Sequence, residues 1–404
     1  MTATKVSIEL QKGAKISIIN LIDSLLEHAH VSRASDIHID PINDAVRIRF
    51  RIDGVLQDMH ALPKNIQSEI ITRVKVMAGL RTDEHQAAQD GRFRTQIPEA
   101  GAVDVRVSIV PTYYGENVVM RLLSDQQQEF SLESLGFSKE NQEKILHAIK
   151  KPYGMILATG PTGSGKTTSL YTILKILNTK EVSIITIEDP IEYAIGDINQ
   201  TQVNTRTGLT FAHGLRSFLR QDPNIIMVGE IRDPETAGLA VNTALTGHLL
   251  LSTVHTNDAA TTLPRLLDMG VESFLIASTV NIAIGQRLAR KVCVKCKIAK
   301  KMTEAEMKSL ENVIPDKSSV RNKTFYHGKG CEECNHSGYK GRIGIQEVLV
   351  IDNDIREATL KRVTADDIRK IAIKNGMIPM IEDGFRKAKD GITTIEEVLR
   401  MLYE

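Results

Sequence analysis

Apolar and polar residues follow two different periods in the first part of the chain. Apolar residues recur at helical spacing over residues 16–29, which predicts an amphipathic helix. Over residues 46–52 they alternate with arginines, which predicts a strand with one buried face that leads into a hairpin turn. The same reasoning predicts a helix at about 64–78 and strands at 103–109 and 118–123. Residues 15–123 are therefore predicted to form a small α+β domain, preceded by a polar N-terminal tail at residues 1–14.

From residue 135 onward, short apolar runs alternate with helical stretches. Candidate strands lie at residues 155–159, 182–187, 225–229 and 249–254. This alternation is typical of the α/β class, in which helices cover a mostly parallel sheet, and it assigns residues 135–290 to such a domain. The polar residues 124–134 are predicted to be a linker. Residues 291–345 break the alternation with cysteines, glycines and lysines, and residues 346–404 return to a helical pattern.

A phosphate-binding loop is predicted between the first strand of the α/β domain and the next helix. The residues from Gly160 to Thr167 match GxxxxGK[ST] at every fixed position, and the flanking strand and helix disfavour a chance match. We expect the loop N–H groups to face phosphates, Lys166 to reach the β- and γ-phosphates of ATP, and Thr167 to coordinate Mg²⁺. The predicted nucleotide-binding residues are Gly160, Pro161, Thr162, Gly163, Ser164, Gly165, Lys166, Thr167 and Thr168.

Acidic residues follow two of the predicted strands. The run at 184–187 leads into Glu188 and Glu192, and the run at 225–229 ends at Glu230. Acids at the carboxyl ends of parallel strands lie over the ligand crevice, and attack of water on a γ-phosphate needs a carboxylate that orients the water. Each acid alone could be a solvated loop charge, but two such strand ends in one P-loop domain favour a catalytic role. Glu230 is expected to act on Mg²⁺ directly or through water.

Two histidines flank the apolar run at residues 249–253. A strand of this length would place His248 and His255 at its two ends, and both are expected near the crevice. A hydrogen-bonded residue of the core or of a helix cap is an equally good interpretation of either histidine.

All four cysteines of the chain stand in two CxxC pairs. Each CxxC turn presents two thiolates to one metal, so two turns complete the tetrahedral shell that Zn²⁺ prefers. The intervening 34 residues exceed the usual spacing, and a lysine-rich helical segment at residues 302–312 is expected to fill them. A redox pair or chance would not explain why every thiol is paired, and His336 is taken as a bystander. The predicted zinc ligands are Cys293, Cys296, Cys331 and Cys334.

Charge balance and hydropathy exclude other classes of protein. Lys and Arg number 51 against 50 Asp and Glu, a net charge of +1, which argues against nucleic acid as the main ligand. No apolar run approaches the roughly 18 residues of a membrane-spanning helix, and the polar start is not a secretion signal. We therefore expect a cytoplasmic protein without a transmembrane segment.

Four ordered motifs resemble those of one protein family, the type II secretion and type IV pilus assembly ATPases. They are the P-loop at residues 160–168, the aspartate box at 185–193, the second acidic motif at 227–233 and the histidine box at 246–258. The resemblance extends from about residue 15 to the end of the chain. It implies a RecA-like P-loop ATPase domain preceded by a small α+β (PAS-like) domain, with a tetracysteine zinc module and C-terminal helices.

The resemblance also implies roles for single residues. Glu192 matches the glutamate that activates water, Glu230 matches the glutamate on the Mg²⁺ side, and the histidine box senses the state of the nucleotide. Arg106 and Arg121 match two arginines that reach the γ-phosphate; surface salt bridging is the alternative interpretation. The implied catalytic residues are Glu192, Glu230, Arg106, Arg121, His248 and His255, and the implied cofactors are ATP, Mg²⁺ and Zn²⁺.

The implied function is that of a homo-hexameric motor at the cytoplasmic side of the inner membrane. It would hydrolyse ATP to assemble type IV pili or the type II secretion pseudopilus through an inner-membrane platform protein. A pilus-retraction ATPase, which in this family generally lacks the tetracysteine module, and a DNA-translocating RecA-like ATPase are the alternatives; 4% aromatic residues disfavour the latter. Since assembly ATPases usually carry a further N-terminal docking domain, a short or truncated form is expected.

Overall fold

The computed structural model describes residues 2–98, 101–124, 130–301 and 324–403. The chain divides into two compact units, Met1–Gln128 and Glu129–Glu404. The predicted helical segment at residues 302–312 lies outside the described residues.

The first unit is a six-stranded antiparallel sheet with helices packed on one face. Its helices are α1 (Thr2–Gln11), α2 (Ile18–Val31) and α3 (Gln67–Ala78), and its strands are β1 (Ala34–Pro41), β2 (Ala45–Ile52), β3 (Val55–Pro63), β4 (Gln89–Ile97), β5 (Gly101–Thr112) and β6 (Gly115–Ser124). The strand order is β3-β2-β1-β6-β5-β4. One face of the sheet buries its apolar residues against the helices, and the other carries charged side chains.

Alternation along β2 explains how this sheet forms. Val46, Ile48 and Phe50 are fully buried while the intervening arginines are partly exposed. The strand ends at Asp53 and Gly54, whose φ angles are 49° and 87°. Both values lie in the left-handed region that a two-residue hairpin turn requires, so the chain reverses there into β3.

The polar tail predicted at residues 1–14 is instead largely helical. Helix α1 packs on α2 and buries Val6 completely. Glu9 accepts a hydrogen bond of 2.7 Å from the backbone N–H of Ser17, and Lys5 forms an ion pair of 2.6 Å with Glu27. Among the described side chains of this helix, only Val6 and the partly buried Leu10 pack against the core, so the segment carries too few apolar residues to show a helical period.

The second unit is a mostly parallel sheet covered on both faces. Its sheet strands are β7 (Gly154–Thr159), β8 (Ile184–Glu188), β9 (Asn199–Gln202), β10 (Ile225–Ile231), β11 (Leu249–Val254), β12 (Val280–Val292) and β15 (Tyr339–Val350), and a small hairpin comprises β13 (Lys297–Lys300) and β14 (Phe325–Gly328). The helices are α4 (Lys139–Ala148), α5 (Lys166–Leu177), α6 (Phe211–Phe218), α7 (Pro234–Leu245), α8 (Thr262–Asp268), α9 (Ser273–Thr279), α10 (Asn353–Leu360), α11 (Ala365–Lys374), α12 (Met380–Lys389) and α13 (Ile395–Tyr403). The predicted α/β class is confirmed.

Strand β7 lies near the middle of the sheet order β15-β12-β7-β11-β10-β8-β9. Successive residues of β7 enter two different cores, Met155 and Leu157 on one face and Ile156 and Ala158 on the other. Burial on both faces accounts for its continuous apolar sequence.

The predicted boundaries at residues 290 and 345 do not separate domains. Strands β12 and β15 pair antiparallel from Ile282–Val350 to Val292–Tyr339, so the sheet continues past both positions. The cysteine segment is therefore an insertion between two neighbouring strands, and the C-terminal helices belong to the same compact unit.

The predicted linker at residues 124–134 is also partly ordered. Ser124 ends β6, residues 125–129 lie outside the described part of the chain, and Leu132 is buried in the second unit. Ser131 and Ser134 close a turn there, since each hydroxyl accepts the backbone N–H of the other residue. The last part of the predicted linker thus belongs to the folded second unit.

Candidate active site and metal centre

The P-loop connects β7 to α5 at the carboxyl edge of the parallel sheet. Gly163 and Gly165 have φ angles of 79° and 87°, values that favour glycine. At Gly160 a Cβ atom would lie 2.2 Å from the carbonyl oxygen of Gln286, so only glycine fits. These constraints hold the loop in a curl at the N-terminus of α5, the position where phosphates bind to backbone N–H groups.

Lys166 is buried within this loop. Its Nζ donates to the carbonyl oxygens of Gly160 at 2.8 Å and Pro161 at 2.9 Å. Burial lowers the pKa of Lys166, and the negative charge of Glu230 opposes that shift without cancelling it. The ammonium group is therefore held inside the loop with an acid nearby.

The loop also contains a buried hydroxyl that lacks a partner. Ser164 is 3% exposed, and its Oγ makes no hydrogen bond to any described residue. Unsatisfied buried polar atoms are rare in folded proteins. The curled backbone, Lys166 and this unpaired hydroxyl, which can donate to a phosphate oxygen, fit a loop that binds phosphate.

Gln286 on β12 supports the P-loop from behind and was missed by the sequence analysis. Its Oε1 accepts a hydrogen bond of 2.7 Å from Ser169 on α5, and its Nε2 lies 2.8 Å from the position of a Cβ on Gly165. The available signal was a polar residue that follows the apolar run of residues 282–285.

Glu230 lies at an irregularity of β10. The register with β11 shifts between Val228 and Ile231, which places Gly229 and Glu230 outside regular pairing. At Gly229, where such motifs often carry aspartate, a Cβ would lie 3.3 Å from backbone atoms of the neighbouring strand, so a larger side chain would be crowded. The bulge leaves Glu230 as the acid of this strand end.

His255 contacts Glu230 directly. Its Nε2 lies 2.9 Å from Oε2 of Glu230, and Nε of Arg232 lies 2.6 Å from the same oxygen. The next residue, Thr256, accepts and donates hydrogen bonds with Thr159 at the end of β7. The histidine-box segment is thereby tied to both the acid and the strand that leads into the P-loop.

His248 does not lie near this crevice within the chain. Its backbone oxygen accepts the N–H of Gly154 at the start of β7, whereas the P-loop follows the end of that strand. The six residues of β11 separate the two edges by roughly 20 Å. The side chain instead lies 3.1 Å from the carbonyl oxygen of Thr243, as expected of a helix-cap residue. The expectation that both histidines lie at the crevice is wrong for His248.

Of the acids at and after the end of β8, Glu188 is buried and Glu192 is exposed. Glu188 is 2% exposed and accepts hydrogen bonds from Tyr171, Thr186 and Gln200. Burial and the charge of Glu188 raise the pKa of Tyr171, so its hydroxyl remains a donor. Glu192 is exposed, and its backbone N–H points to the same hydroxyl on α5. The later acid is thus beside the P-loop helix and accessible.

Arg106 and Arg121 lie opposite each other on β5 and β6 of the first unit. Nε of Arg121 donates to Oδ1 of Asp36 at 2.8 Å, and the arginine side chain remains 61% exposed. The two predicted arginines are therefore neighbours on the charged face of one sheet.

The four predicted cysteine ligands form one cluster. Their sulfur atoms all lie within 4.8 Å of one another, with Cys293–Cys331 and Cys296–Cys334 separations of 3.8 Å. A tetrahedron with Zn–S bonds of about 2.3 Å has sulfur–sulfur edges of about 3.8 Å, whereas a disulfide bond measures about 2.05 Å. The spacing fits a tetrahedral metal shell. His336 is not part of the cluster found among the described residues.

Hydrogen bonds favour the thiolate form of one of the four cysteines. Burial acts to raise the pKa of the Cys334 thiol, but hydrogen bonds from the N–H groups of Cys331 and Gly338, together with those from the Cys331 and Cys296 thiols, outweigh it and lower the pKa to about 6. A thiolate is the form that ligates zinc. The chain segments that enter and leave the second CxxC turn approach each other closely at two glycines, since a Cβ on Gly328 would lie 2.1 Å from the carbonyl oxygen of Gly338.

Comparison with known proteins identifies the family. Residues 11–400 match the family described as type II/IV secretion system protein. The type IV pilus assembly ATPase PilB of Thermus thermophilus is 47% identical over 95% of this chain and 43% of its own length. PilB of Myxococcus xanthus is 44% identical over 97% of this chain and 69% of its own length. The type II secretion system ATPase E of Vibrio cholerae is 45% identical over 96% of this chain and 76% of its own length. This chain thus spans less than half of the Thermus relative.

Solved structures share the fold. The Legionella pneumophila ATPase DotB superposes with a TM-score of 0.69 at 22% identity, covering 95% of both chains. The pilus retraction motor PilT with bound ADP gives 0.63 at 24% identity, covering 94% of this chain and 96% of its own. Among the described residues, no helix combines the length and apolar character needed to cross a membrane. The resemblance drawn from the four motifs is confirmed: the chain belongs to the type II/IV secretion system protein family.

Proposed function

We propose that this chain is the ATP-hydrolysing motor of a machine that assembles type IV pili or a type II secretion pseudopilus. The observation that carries the proposal is the curled P-loop with Lys166 buried inside it and Glu230 near enough for its charge to affect that lysine. Relatives with 44–47% identity are named as ATPases of these two machines, which supports the assignment to pilus assembly or type II secretion.

In this proposal, the phosphates of ATP occupy the loop at residues 160–168. Lys166 exchanges its bonds with the loop carbonyls for bonds with the β- and γ-phosphates. Thr167, in the first turn of α5, and Glu230 would hold Mg²⁺, which when bound offsets phosphate charge. His255 holds Glu230 by its 2.9 Å contact and so transmits a change at the acid to the histidine-box segment.

Glu192 is proposed to orient the attacking water. Glu188 is unsuited to this task because its oxygens are already bonded to Tyr171, Thr186 and Gln200. Glu192 is exposed on the segment that follows β8. Arg106 and Arg121 are proposed, from the family resemblance, to stabilise the charge on the transferred phosphate.

The remaining features of the proposal follow the family resemblance. The second unit is proposed to be RecA-like and the first PAS-like, with Zn²⁺ held by the four cysteines. The motor is proposed to work as a homo-hexamer at the cytoplasmic side of the inner membrane against a platform protein there. The cysteine cluster favours an assembly motor over a retraction motor.

Substitution of Glu192 tests the proposed chemistry. Glu192→Gln removes the charge that orients water, so kcat should fall by about 10²–10⁴-fold while the Kd for ATP changes little. Steady-state turnover and equilibrium binding of labelled ATP measure the two quantities. Glu181→Gln, at an exposed site before β8, is the matched control and should retain full turnover.

Unchanged turnover in Glu192→Gln would remove its role as the water-orienting residue. The same assays should show no stimulation of the wild-type rate by single- or double-stranded DNA. A severalfold rise with DNA would favour the translocase alternative over a pilus or secretion motor.

A further inference from the structure

A row of charged residues crosses the polar face of the first unit's sheet. Residues on five adjacent strands stand opposite one another in the register, in the order Arg51, Asp36, Arg121, Arg106 and Arg92. Like charges directly opposite each other destabilise a sheet. The row therefore collects positive charge at a cost in stability, and Asp36 is its single acid.

Asp36 is much more deeply buried than the two arginines on either side of it in this row. Its side chain is 5% exposed, against 61% for Arg121 and 36% for Arg51. Oδ1 accepts the 2.8 Å hydrogen bond from Nε of Arg121, while Oδ2 accepts one of 2.7 Å from Ser35 and lies 3.6 Å from Nε of Arg51. The carboxylate is thus held from both sides.

These contacts keep the carboxylate ionised. Burial acts to raise the pKa of Asp36, but the hydrogen bonds from Arg121 and Ser35 and the charges of Arg121 and Arg51 outweigh it and lower the pKa. A buried charge of this kind persists only with partners that compensate its desolvation.

The contact with Asp36 orients the guanidinium of Arg121 but uses only one of its N–H donors. The bond to Asp36 uses Nε, one of several N–H donors on a rigid planar fork. A fork pinned at Nε loses little further freedom when its terminal NH₂ groups bind an anion. The negative charge of Asp36 also offsets the repulsion between Arg121 and the opposed Arg106.

We propose that Asp36 is the positioning residue of Arg121: it aims the guanidinium at the phosphate charge that develops during ATP hydrolysis and makes no contact with ATP itself. This inference rests on the proposed function of Arg121. Preorganised donors contribute to catalysis because they need not reorient during the reaction.

A double-mutant cycle tests the proposal in the full chain. Asp36→Asn, Arg121→Ala and the double variant are compared with wild type for kcat, for KM of ATP and for thermal unfolding. We expect Arg121→Ala to lower kcat by about 10³-fold or more, and Asp36→Asn by about 10-fold with a smaller change in KM. Because Asp36 acts only through Arg121, the double variant should match Arg121→Ala within about twofold.

Asp40 supplies the matched control on the same strand. Oδ2 of Asp40 accepts a 2.6 Å hydrogen bond from Nε of Arg49, so Asp40→Asn removes the negative charge from the same kind of contact outside the Arg121 row. It should lower the unfolding temperature about as much as Asp36→Asn while leaving kcat unchanged. If Asp36→Asn does not fold, Asp36→Glu, which keeps the charge but shifts it by one methylene, takes its place in the cycle.

The possible outcomes separate the two claims. A normal kcat in Arg121→Ala would overturn the proposed function of Arg121 itself. A slow Arg121→Ala combined with a normal Asp36→Asn would overturn the positioning role alone, and so would a double variant whose loss equals the product of the two single losses. An equal loss of kcat in Asp40→Asn would show a general effect of the sheet and also overturn that role.

Discussion

Lys166→Ala is expected to abolish nearly all ATP turnover. The ammonium group is held inside the P-loop, with Nζ 2.8 and 2.9 Å from two loop carbonyl oxygens, at the position where the phosphates of ATP are proposed to bind. Loss of one preorganised donor at a site of developing charge costs about 10²–10³-fold in rate. Since Lys166 also binds the ground-state phosphates, we expect kcat/KM for ATP to fall by about 10³-fold, equivalent to about 4 kcal/mol.

A second lysine controls for the loss of charge. Lys180→Ala removes an exposed lysine from the loop after α5 and should leave kcat/KM unchanged. Thermal unfolding of both variants checks that the fold persists. A Lys166→Ala variant that turns over ATP within threefold of wild type would contradict the proposed phosphate site.

Removal of the metal from the cysteine cluster is expected to produce the largest loss of stability. Free zinc at about 1,000 times its Kd stabilises the folded state by about 4 kcal/mol. A loss of about 1 kcal/mol in the free energy of unfolding lowers the unfolding temperature of a domain of this size by about 2–4 °C. We therefore expect chelation under reducing conditions, or Cys334→Ser, to lower the unfolding temperature by about 10 °C.

The loss should spread beyond the cluster because the insertion contacts the C-terminal helices. Lys297 donates to the carbonyl oxygen of Gly391 at 3.2 Å, and the hydroxyls of Tyr339 and Thr394 lie 3.1 Å apart. His336→Ala is the matched control, since it alters a neighbour of the cysteines without removing a ligand. Elemental analysis should find one zinc per chain in wild type and in this control. The zinc site would be contradicted if reduced wild-type protein lost its metal on chelation and still unfolded at the same temperature as before.

The parts of the fold that sequence reasoning found are those encoded by local spacing. The P-loop and the CxxC pairs each require fixed residue types within a few positions, so their chemistry is visible in a short window. Strands β7, β10 and β11 were equally visible because burial on both faces demands continuous apolar residues.

What sequence reasoning missed depends on pairing between distant segments. Strand β4 contains few apolar residues and sits at a sheet edge, so its alternation gave a weak signal. His248 was placed at the crevice because strand length says nothing about which end of a strand faces the ligand. The roles of Gln286 and Asp36 depend on the registers of β12 and β1 with their neighbours, which no single segment specifies.

The central claim is that the P-loop binds the phosphates of ATP through its backbone, with Lys166 and Glu230 at hand. The most direct measurement is a crystal structure of the chain with a non-hydrolysable ATP analogue and magnesium. We predict phosphate oxygens within hydrogen-bonding distance of the N–H groups of Gly163 and Gly165 and of Lys166 Nζ, with the metal between Thr167 and Glu230. A nucleotide bound elsewhere, with Lys166 still bonded to the loop carbonyls, would contradict the account.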